Sequence, residues 1–318
     1  MLKSKLLFSI AIPLILLPVS CKLKQTDSVY KKKTNSYPNQ ITFNAAGQNP
    51  EGIAFDYSKN NFYLSAINKE PKIVAVSLNG IATVFSNTST GSSMSSFGLE
   101  VDFKNNRLLA CENDKLSGNL AIYNLISGNL QHSIALTPLL TNKKSHQVND
   151  VAVSLSSDIY VTGRLEDVIY KVNSNLQPTI FFEKEGFSKP NGIVAHPDGY
   201  LLVSYSNAHS QLVKIPLSNP EEATIIELKE FEFEGFDGML LNEKNNIVGV
   251  SFAADQNKDY YVRELISTDN WISATVVHSK KINKSTTIAQ VAPNTYYAIN
   301  QDWSNKKAEN WTLEKVTF

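Results

Sequence analysis

The sequence has few cysteines, no excess of charge and no apolar run long enough for a comfortable membrane span. Its 318 residues include two cysteines, too few for a disulfide-dense scaffold or a four-cysteine zinc site. Thirty basic residues balance thirty acidic ones, so no surplus of positive charge favours a phosphate backbone, and we expect no nucleic-acid partner. Methionines number 3, against 13 tyrosines and 15 phenylalanines, and aromatic residues favour strands.

Residues 1–20 have the pattern of a secretory signal. Lys3 and Lys5 precede a 14-residue apolar run, Leu6–Val19, which is short for a spanning helix. Ser20 and Cys21 follow, and the run Leu-Pro-Val-Ser-Cys resembles the lipobox of bacterial lipoproteins. Cleavage before Cys21 would leave an acylated cysteine at the start of the mature chain. We therefore expect export across the inner membrane and lipid anchoring in the bacterial cell envelope, in the outer membrane; a plain signal peptide is the alternative.

Residues 21–39 are polar, basic and without periodicity, which predicts a lipid-anchored tether. The lipid anchor is then the protein's only membrane contact. With Cys21 assigned to the lipid, Cys111 has no cysteine partner. Its apolar neighbours predict a buried thiol and not a nucleophile.

Residues 40–318 contain one short pattern six times. The pattern is a polar residue, a small residue and alternating apolar positions, followed by a turn and a second strand. The copies begin 46, 52, 42, 46 and 49 residues apart, at Glu51, Phe97, Asn149, Asn191, Asp237 and Thr286. Six units of this length predict an all-β protein, a six-bladed β-propeller of four-stranded blades.

The two ends of the chain are expected to share one blade. The sixth unit ends after its third strand, while residues 40–45 supply an extra strand ahead of the first unit. The N-terminal strand can therefore complete the last blade and close the ring, which removes an exposed sheet edge. We expect a single monomeric domain over residues 40–318. Two sandwich domains would explain neither the regular period nor the divided unit.

The first residue of each unit is expected to face the propeller axis at one end of the channel. Glu51 and Asp237 contribute carboxylates, and Asn149 and Asn191 contribute amides. Such hard oxygen ligands suit a calcium-like ion. No cluster of cysteines or histidines offers a softer, zinc-type site. The alternative is that these side chains only cap strands and hold channel water.

The motifs resemble those of the senescence marker protein/gluconolactonase/luciferin-regenerating enzyme propellers, to which paraoxonases and strictosidine synthases are more distantly related. The resemblance covers the chain after the tether. It rests on Pro50-Glu51-Gly52, Asn149-Asp150, Pro190-Asn191-Gly192 and Phe236-Asp237-Gly238. It implies a divalent metal bound by Glu51, Asn191 and Asp237, with Asn149 as a further ligand or a substrate contact. Calcium is the first expectation, and magnesium, manganese and zinc stay open.

The resemblance also implies hydrolysis of a small-molecule lactone or ester, with Asp237 as the candidate catalytic base. Sugar lactonases of the family usually carry an arginine two residues before the Asn-Asp asparagine, where this chain has Gln147. Together with the apolar Phe97, this implies a less polar substrate. Further candidate substrate contacts end the second strands near the channel mouth: Asn68, Glu112, Arg164, Tyr205 and Asn300. His146 is the histidine to test as an acid or base.

Two other functions remain open at this point. A propeller is a common binding scaffold, so the chain could be a non-enzymatic ligand-binding or interaction module with a structural calcium. It could also catalyse a metal-independent reaction in the same channel, as the resemblance to strictosidine synthases allows. Removing divalent metal with a chelator would abolish the activity of a metal-dependent hydrolase but not that of a metal-independent enzyme.

Overall fold

A computed structural model describes residues 37–45, 48–67, 73–86, 95–114, 116–140, 145–206, 210–229, 235–252, 259–301 and 309–318. The signal, Cys21, most of the tether and Asn68 lie outside these residues. Besides three short 3-10 turns (Phe103–Asn105, Thr137–Leu139 and Pro220–Glu222), the described elements are strands, β1 to β25 in chain order. Within the same ranges, no helix has the length and apolar character needed to cross a membrane.

Six small sheets, here called blades, follow one another along the chain. Blade 1 contains β2 (Ile53–Asp56), β3 (Asn61–Ser65), β4 (Ile73–Ser77) and β5 (Ala82–Ser86). Blade 2 contains β6 (Ser95–Asp102), β7 (Arg107–Asn113), β8 (Gly118–Asn124) and β9 (Leu130–Ala135). Blade 3 contains β10 (Val148–Val153), β11 (Ile159–Gly163), β12 (Val168–Val172) and β13 (Pro178–Phe182).

The remaining blades repeat this order with two variations. Blade 4 contains β14 (Pro190–His196), β15 (Tyr200–Tyr205), β16 (Gln211–Pro216) and β17 (Thr224–Ile225). Blade 5 contains β19 (Phe236–Leu241), β20 (Ile247–Phe252), β21 (Tyr260–Ile266) and β22 (Ser273–Ile282), with β18 (Glu227–Leu228) at its edge. Blade 6 contains β23 (Ile288–Ala292), β24 (Thr295–Asn300), β25 (Asn310–Thr317) and β1 (Gln40–Asn44). The predicted six-bladed propeller is confirmed.

Blade 6 combines strands from both ends of the described chain. Strand β1 pairs antiparallel with β25, with Gln40 opposite Glu314 and Asn44 opposite Asn310. The indole Nε1 of Trp311 adds a hydrogen bond of 3.0 Å to the Ala45 carbonyl. The outer edge of β25 is therefore covered by a strand from the other end of the sequence.

The fourth strand of blade 4 is shorter than the fourth strands of the other blades. Strand β17 has only two residues, and the chain then leaves blade 4 and joins blade 5. There β18 pairs in parallel with β22, with Glu227 opposite Ser273. This crossover covers the outer edge of the ten-residue β22, which would otherwise present unpaired backbone groups.

The hydrophobic core lies between neighbouring blades. In one cluster, for example, Tyr160 and Ile169 of blade 3 pack with Leu201 and Val203 of blade 4. Cys111 belongs to the cluster between blades 2 and 3, where it has no exposed surface and is a free thiol. Burial raises the pKa of the Cys111 thiol well above its usual value. The predicted burial of Cys111 is confirmed, and a raised thiol pKa disfavours the nucleophilic thiolate.

Candidate functional site

The first strands of the blades (β2, β6, β10, β14, β19 and β23), here called the inner strands, surround a central cavity of about 330 Å³. Glu51, Asn149 and Asp237 line the cavity at the end where the inner strands begin. Tyr57 and Phe103 line it at the opposite end, just after β2 and β6. Three of the four candidate ligands therefore line the cavity at one end, and Asn191 is not among the lining residues.

Four inner strands begin with the same irregularity. The pairing register of β6, β10, β14 and β19 skips two residues near the start of each strand, which is the signature of a β-bulge. A bulge bends the strand and redirects its side chains. The skipped residues are the motif residues themselves: Phe97-Gly98, Asn149-Asp150, Asn191-Gly192 and Asp237-Gly238.

Glycine follows several of the axial residues because the inner strands approach one another closely there. A Cβ added to Gly52 would lie 2.1 Å from the carbonyl oxygen of Phe97, and one added to Gly192 would lie 2.4 Å from that of Asp237. Each glycine therefore packs against the axial residue of the next blade. A larger residue would have to move that axial residue.

We expect Gly192→Ala to lower the free energy of unfolding by about 1–3 kcal/mol because its methyl group overlaps the Asp237 backbone. It should also reduce the rise in Tm that calcium produces. Gly186→Ala is the control, since a Cβ on Gly186 meets nothing within 4 Å, although its φ of +89° adds local strain. Calorimetry with and without calcium tests this, and an unchanged Tm and calcium response for Gly192→Ala would contradict it.

Asn191 connects two of the axial positions. Its Nδ2 donates a hydrogen bond of 3.0 Å to Oδ1 of Asp237. Its own Oδ1 is buried and has no hydrogen-bond partner within the described ranges. Leaving a buried acceptor unpaired costs free energy, and a cation beside it would remove that cost.

The two axial carboxyls are crowded. Burial raises the pKa of Glu51 well above its usual value, and the nearby charges of Asp237 and Asp150 raise it further. Burial also raises the pKa of Asp237 to about 6, although the hydrogen bond from Asn191 and the charge of Arg164 oppose this rise. Negative charges that lack solvation in this way are stabilised by a divalent cation. The donor set therefore fits a hard metal ion.

Two further carboxyls, those of Asp150 and Glu100, line the cavity, and neither was predicted as a site residue. Burial raises the pKa of Asp150 to about 7 and that of Glu100 to about 8. Asp150 accepts backbone hydrogen bonds from Val151 at 2.9 Å and Ile193 at 3.2 Å, which ties β10 to β14. Glu100 could have been predicted as a cavity residue, because it is a charged residue between the apolar Leu99 and Val101 of an inner strand. Asp150 could not be predicted from alternation, because the β-bulge in β10 places both Asn149 and Asp150 on the cavity side.

The remaining axial positions support the site without adding ligands. Phe97 packs against the hydrophobic cluster between blades 2 and 3. The Thr286 hydroxyl donates a hydrogen bond of 2.9 Å to the Glu51 carbonyl. Gln301 donates from Nε2 to the Pro50 carbonyl and, at 3.0 Å, to the Thr286 hydroxyl. Blade 6 therefore holds the backbone of Glu51 in place.

None of the predicted substrate contacts that the structure describes (Glu112, Gln147, Arg164, Tyr205 and Asn300) is among the residues that line the cavity. Glu112 is fully buried and accepts a short hydrogen bond from the Tyr123 hydroxyl. Tyr205 is 1% exposed, and its ring packs 5.6 Å from that of Phe187. Glu112 is bonded within blade 2 and Tyr205 packs between blades 3 and 4, so their assignment as substrate contacts is corrected. Asn300 ends β24 opposite Thr312, also outside the cavity lining.

Arg164 and Gln147 lie together where β11 ends and β10 begins. Arg164 Nη1 donates to Gln147 Oε1 at 3.4 Å, and the Arg164 backbone N–H donates to the Gln147 carbonyl at 2.8 Å. The buried Glu166 accepts from the Gln147 N–H at 3.1 Å, and its other oxygen lies 3.2 Å from His146 Nδ1. His146 is thus paired with a buried carboxylate and does not line the cavity.

Across the part of the chain that the structure describes, no group of three or more His, Cys, Asp or Glu side chains is arranged to hold a metal ion. The predicted ligand set contains only two such side chains, the carboxylates of Glu51 and Asp237, and its other two members are the amides of Asn149 and Asn191. The unpaired Asn191 oxygen is the observation that speaks for it.

No protein-family model and no characterised protein sequence matches the chain significantly. Solved structures do. A gluconolactonase from Xanthomonas campestris is 14% identical with a TM-score of 0.62, over 87% of this chain and 89% of that one. The chain has a known propeller fold. A calcium-binding regucalcin from Agrobacterium tumefaciens (16% identity, TM-score 0.58) and a luciferin-regenerating enzyme (14%, 0.59) each match over 88% of this chain and 95% of their own. At such identities the likeness shows the fold alone.

Proposed function

We propose that the protein is a divalent-metal-dependent hydrolase of a lactone or ester, with Glu51, Asn149, Asn191 and Asp237 as the metal ligands. The observation that carries this proposal is the buried, unpaired Oδ1 of Asn191, whose amide is hydrogen-bonded to the cavity-lining Asp237 carboxylate. The fold is shared with a gluconolactonase and a calcium-binding protein, which supports the proposal.

The residues have distinct roles in this proposal. A bound metal ion would polarise the scissile carbonyl and stabilise negative charge on its oxygen. Asn191 fixes one oxygen of Asp237 by its hydrogen bond, which orients the carboxylate. With a pKa of about 6, Asp237 is largely ionised at neutral pH and can accept a proton from an attacking water. The apolar Leu99, Ile193 and Met239 also line the cavity and could contact the apolar part of a substrate.

The donor chemistry selects among metals. All four proposed ligands offer oxygen, which favours calcium, and then magnesium or manganese, over zinc. The cavity volume of about 330 Å³ matches the lower end of small-molecule sites. We therefore propose calcium as the cofactor and a small lactone or ester as the substrate.

A panel of γ-lactones, δ-lactones and aryl esters tests the proposed function. We expect hydrolysis in the presence of calcium, its loss on treatment with EDTA and its recovery when calcium is restored. Hydrolysis that survives chelation would instead indicate a metal-independent reaction in the channel. Calcium binding without hydrolysis of any substrate would favour a binding propeller with a structural calcium. The hydrogen bonds from Thr286 and Gln301 around Glu51 would serve that second function equally well.

A further inference from the structure

Arg164 lies at the end of blade 3 that carries the proposed ligand Asn149. It follows Gly163, the last residue of β11, and Gly163 pairs with Val148, which directly precedes Asn149. The hydrogen bond of 2.8 Å from its backbone N–H to the Gln147 carbonyl extends this pairing by one step. Backbone pairing therefore fixes the position of Arg164 beside the start of β10, next to residues that line the cavity but not itself among them.

The guanidinium of Arg164 is largely unused by the protein. Throughout the described ranges, its one side-chain hydrogen bond is the 3.4 Å contact with Gln147 Oε1, and no carboxylate lies within 4 Å of it. A guanidinium carries five N–H donors, so most remain available. Its charge nevertheless lowers the pKa of both Glu51 and Asp237, which places it near these carboxyls without an ion pair.

The backbone beside Arg164 is held by hydrogen bonds to a buried carboxylate. Glu166 has no exposed surface, and its two oxygens accept hydrogen bonds from the Gln147 N–H at 3.1 and 3.2 Å. This buried carboxylate fixes the backbone of Gln147, whose side chain in turn contacts the guanidinium. A recognition group that is held in place before binding loses less entropy when its ligand arrives.

We propose that Arg164 binds a carboxylate group of the substrate, so that the proposed hydrolase acts on a lactone or ester that carries a carboxylate beside the scissile bond. The planar guanidinium presents parallel N–H groups that match a carboxylate in bidentate geometry. Gln147 and Glu166 act as positioning residues for this group. The expectation of a less polar substrate, which rested on Gln147 and Phe97, is revised accordingly. The inference on the substrate rests on the proposed function, whereas the binding of the carboxylate does not.

Two non-hydrolysable probes test the binding directly. Isothermal titration in calcium compares 3-oxocyclopentane-1-carboxylate with its neutral carboxamide. We expect the wild type to bind the carboxylate roughly 10- to 100-fold more tightly, the value of hydrogen bonds to a charged group. Arg164→Gln should remove this preference, and Arg164→Lys should keep part of it. Lys104→Gln removes an exposed positive charge just after β6, at the opposite end of the cavity, and should leave the preference intact.

A second readout separates a binding role from damage to the fold. Removing the positive charge of Arg164 should strengthen calcium binding, because that charge lies near Glu51 and Asp237. A misfolded variant would lose both calcium and carboxylate binding. The proposal is overturned if the wild type binds neither probe or both equally, or if Arg164→Gln keeps the preference.

Failure of this inference can be told apart from failure of the proposed function. Hydrolysis of 5-oxotetrahydrofuran-2-carboxylate and of its carboxamide is measured in parallel. Equal hydrolysis of both by wild type and Arg164→Gln would support the hydrolase and overturn the role of Arg164. Selective binding of the carboxylate probe that depends on Arg164, without hydrolysis of any lactone, would uphold the recognition site and overturn the hydrolase.

Discussion

Replacing Asp237 with asparagine is expected to lower kcat/KM for metal-dependent lactone hydrolysis by about 10²- to 10⁴-fold, the usual contribution of a positioned acid or base. The change removes a metal ligand charge and the group that accepts the proton from water. It should not unfold the protein, because an uncharged amide of the same shape avoids the cost of burying a carboxylate. In the absence of metal, Asp237→Asn should therefore be at least as stable as the wild type at pH 7.5. Steady-state kinetics and calorimetry measure the two effects.

Asp198→Asn is the matched control for this substitution. Its side chain is 71% exposed and lies just after β14, at the opposite end of the cavity. We expect wild-type kinetics and an unchanged calcium response from this variant. Activity of Asp237→Asn within about twofold of the wild type would contradict the assigned role, since an essential base is worth far more than that.

The metal-free protein is expected to lose stability as the pH rises from 5 to 9. The folded-state pKa values of Asp237, Asp150 and Glu100 are about 6, 7 and 8, above the ordinary values of 3.8 and 4.5. A carboxyl with a raised pKa binds its proton more tightly in the folded state. Its stabilising contribution is complete below the unfolded pKa and is lost as the pH passes the folded pKa. Calorimetry in EDTA at pH 5, 7 and 9 measures this loss.

Calcium should reverse the trend, because it offsets the charges that high pH creates. We expect the rise in Tm on adding calcium to be larger at pH 9 than at pH 5. Glu100→Gln should flatten the metal-free profile and raise Tm at pH 9 by several degrees, since about 1 kcal/mol corresponds to ~2–4 °C at this size. Glu221→Gln, at an exposed position, is the control. A metal-free Tm that is constant or rises with pH would refute the account of the cavity.

The architecture could be predicted from the sequence because each blade repeats the same local chemistry. The six predicted turns after the inner strands all contain a residue with positive φ: Asn60, Asn106, Ser157, Gly199, Asn245 and Asn294. Asparagine and glycine tolerate this conformation better than most residues do. The period and the turn composition therefore predicted the blades and their order. They could not predict β18, since its parallel pairing with β22 depends on an edge formed later in the chain.

The candidate site could be predicted only in part. Glu51, Asn149, Asn191 and Asp237 occupy equivalent positions, so one pattern identified them together. Asp150 was not predicted, because a β-bulge interrupts the alternation of inward and outward side chains on which strand predictions depend. Glu112 and Tyr205 were misassigned because the second strands are buried on both faces, as in β15, where every residue is buried. Alternation then carries no information about which side chains face the channel.

Calcium titration of the purified protein tests the central claim most directly. We predict one calcium ion bound per chain, with binding lost in both Glu51→Gln and Asp237→Asn and kept in Asp198→Asn. A wild type that binds no divalent cation, or variants of Glu51 and Asp237 that bind calcium as the wild type does, would contradict the axial metal site.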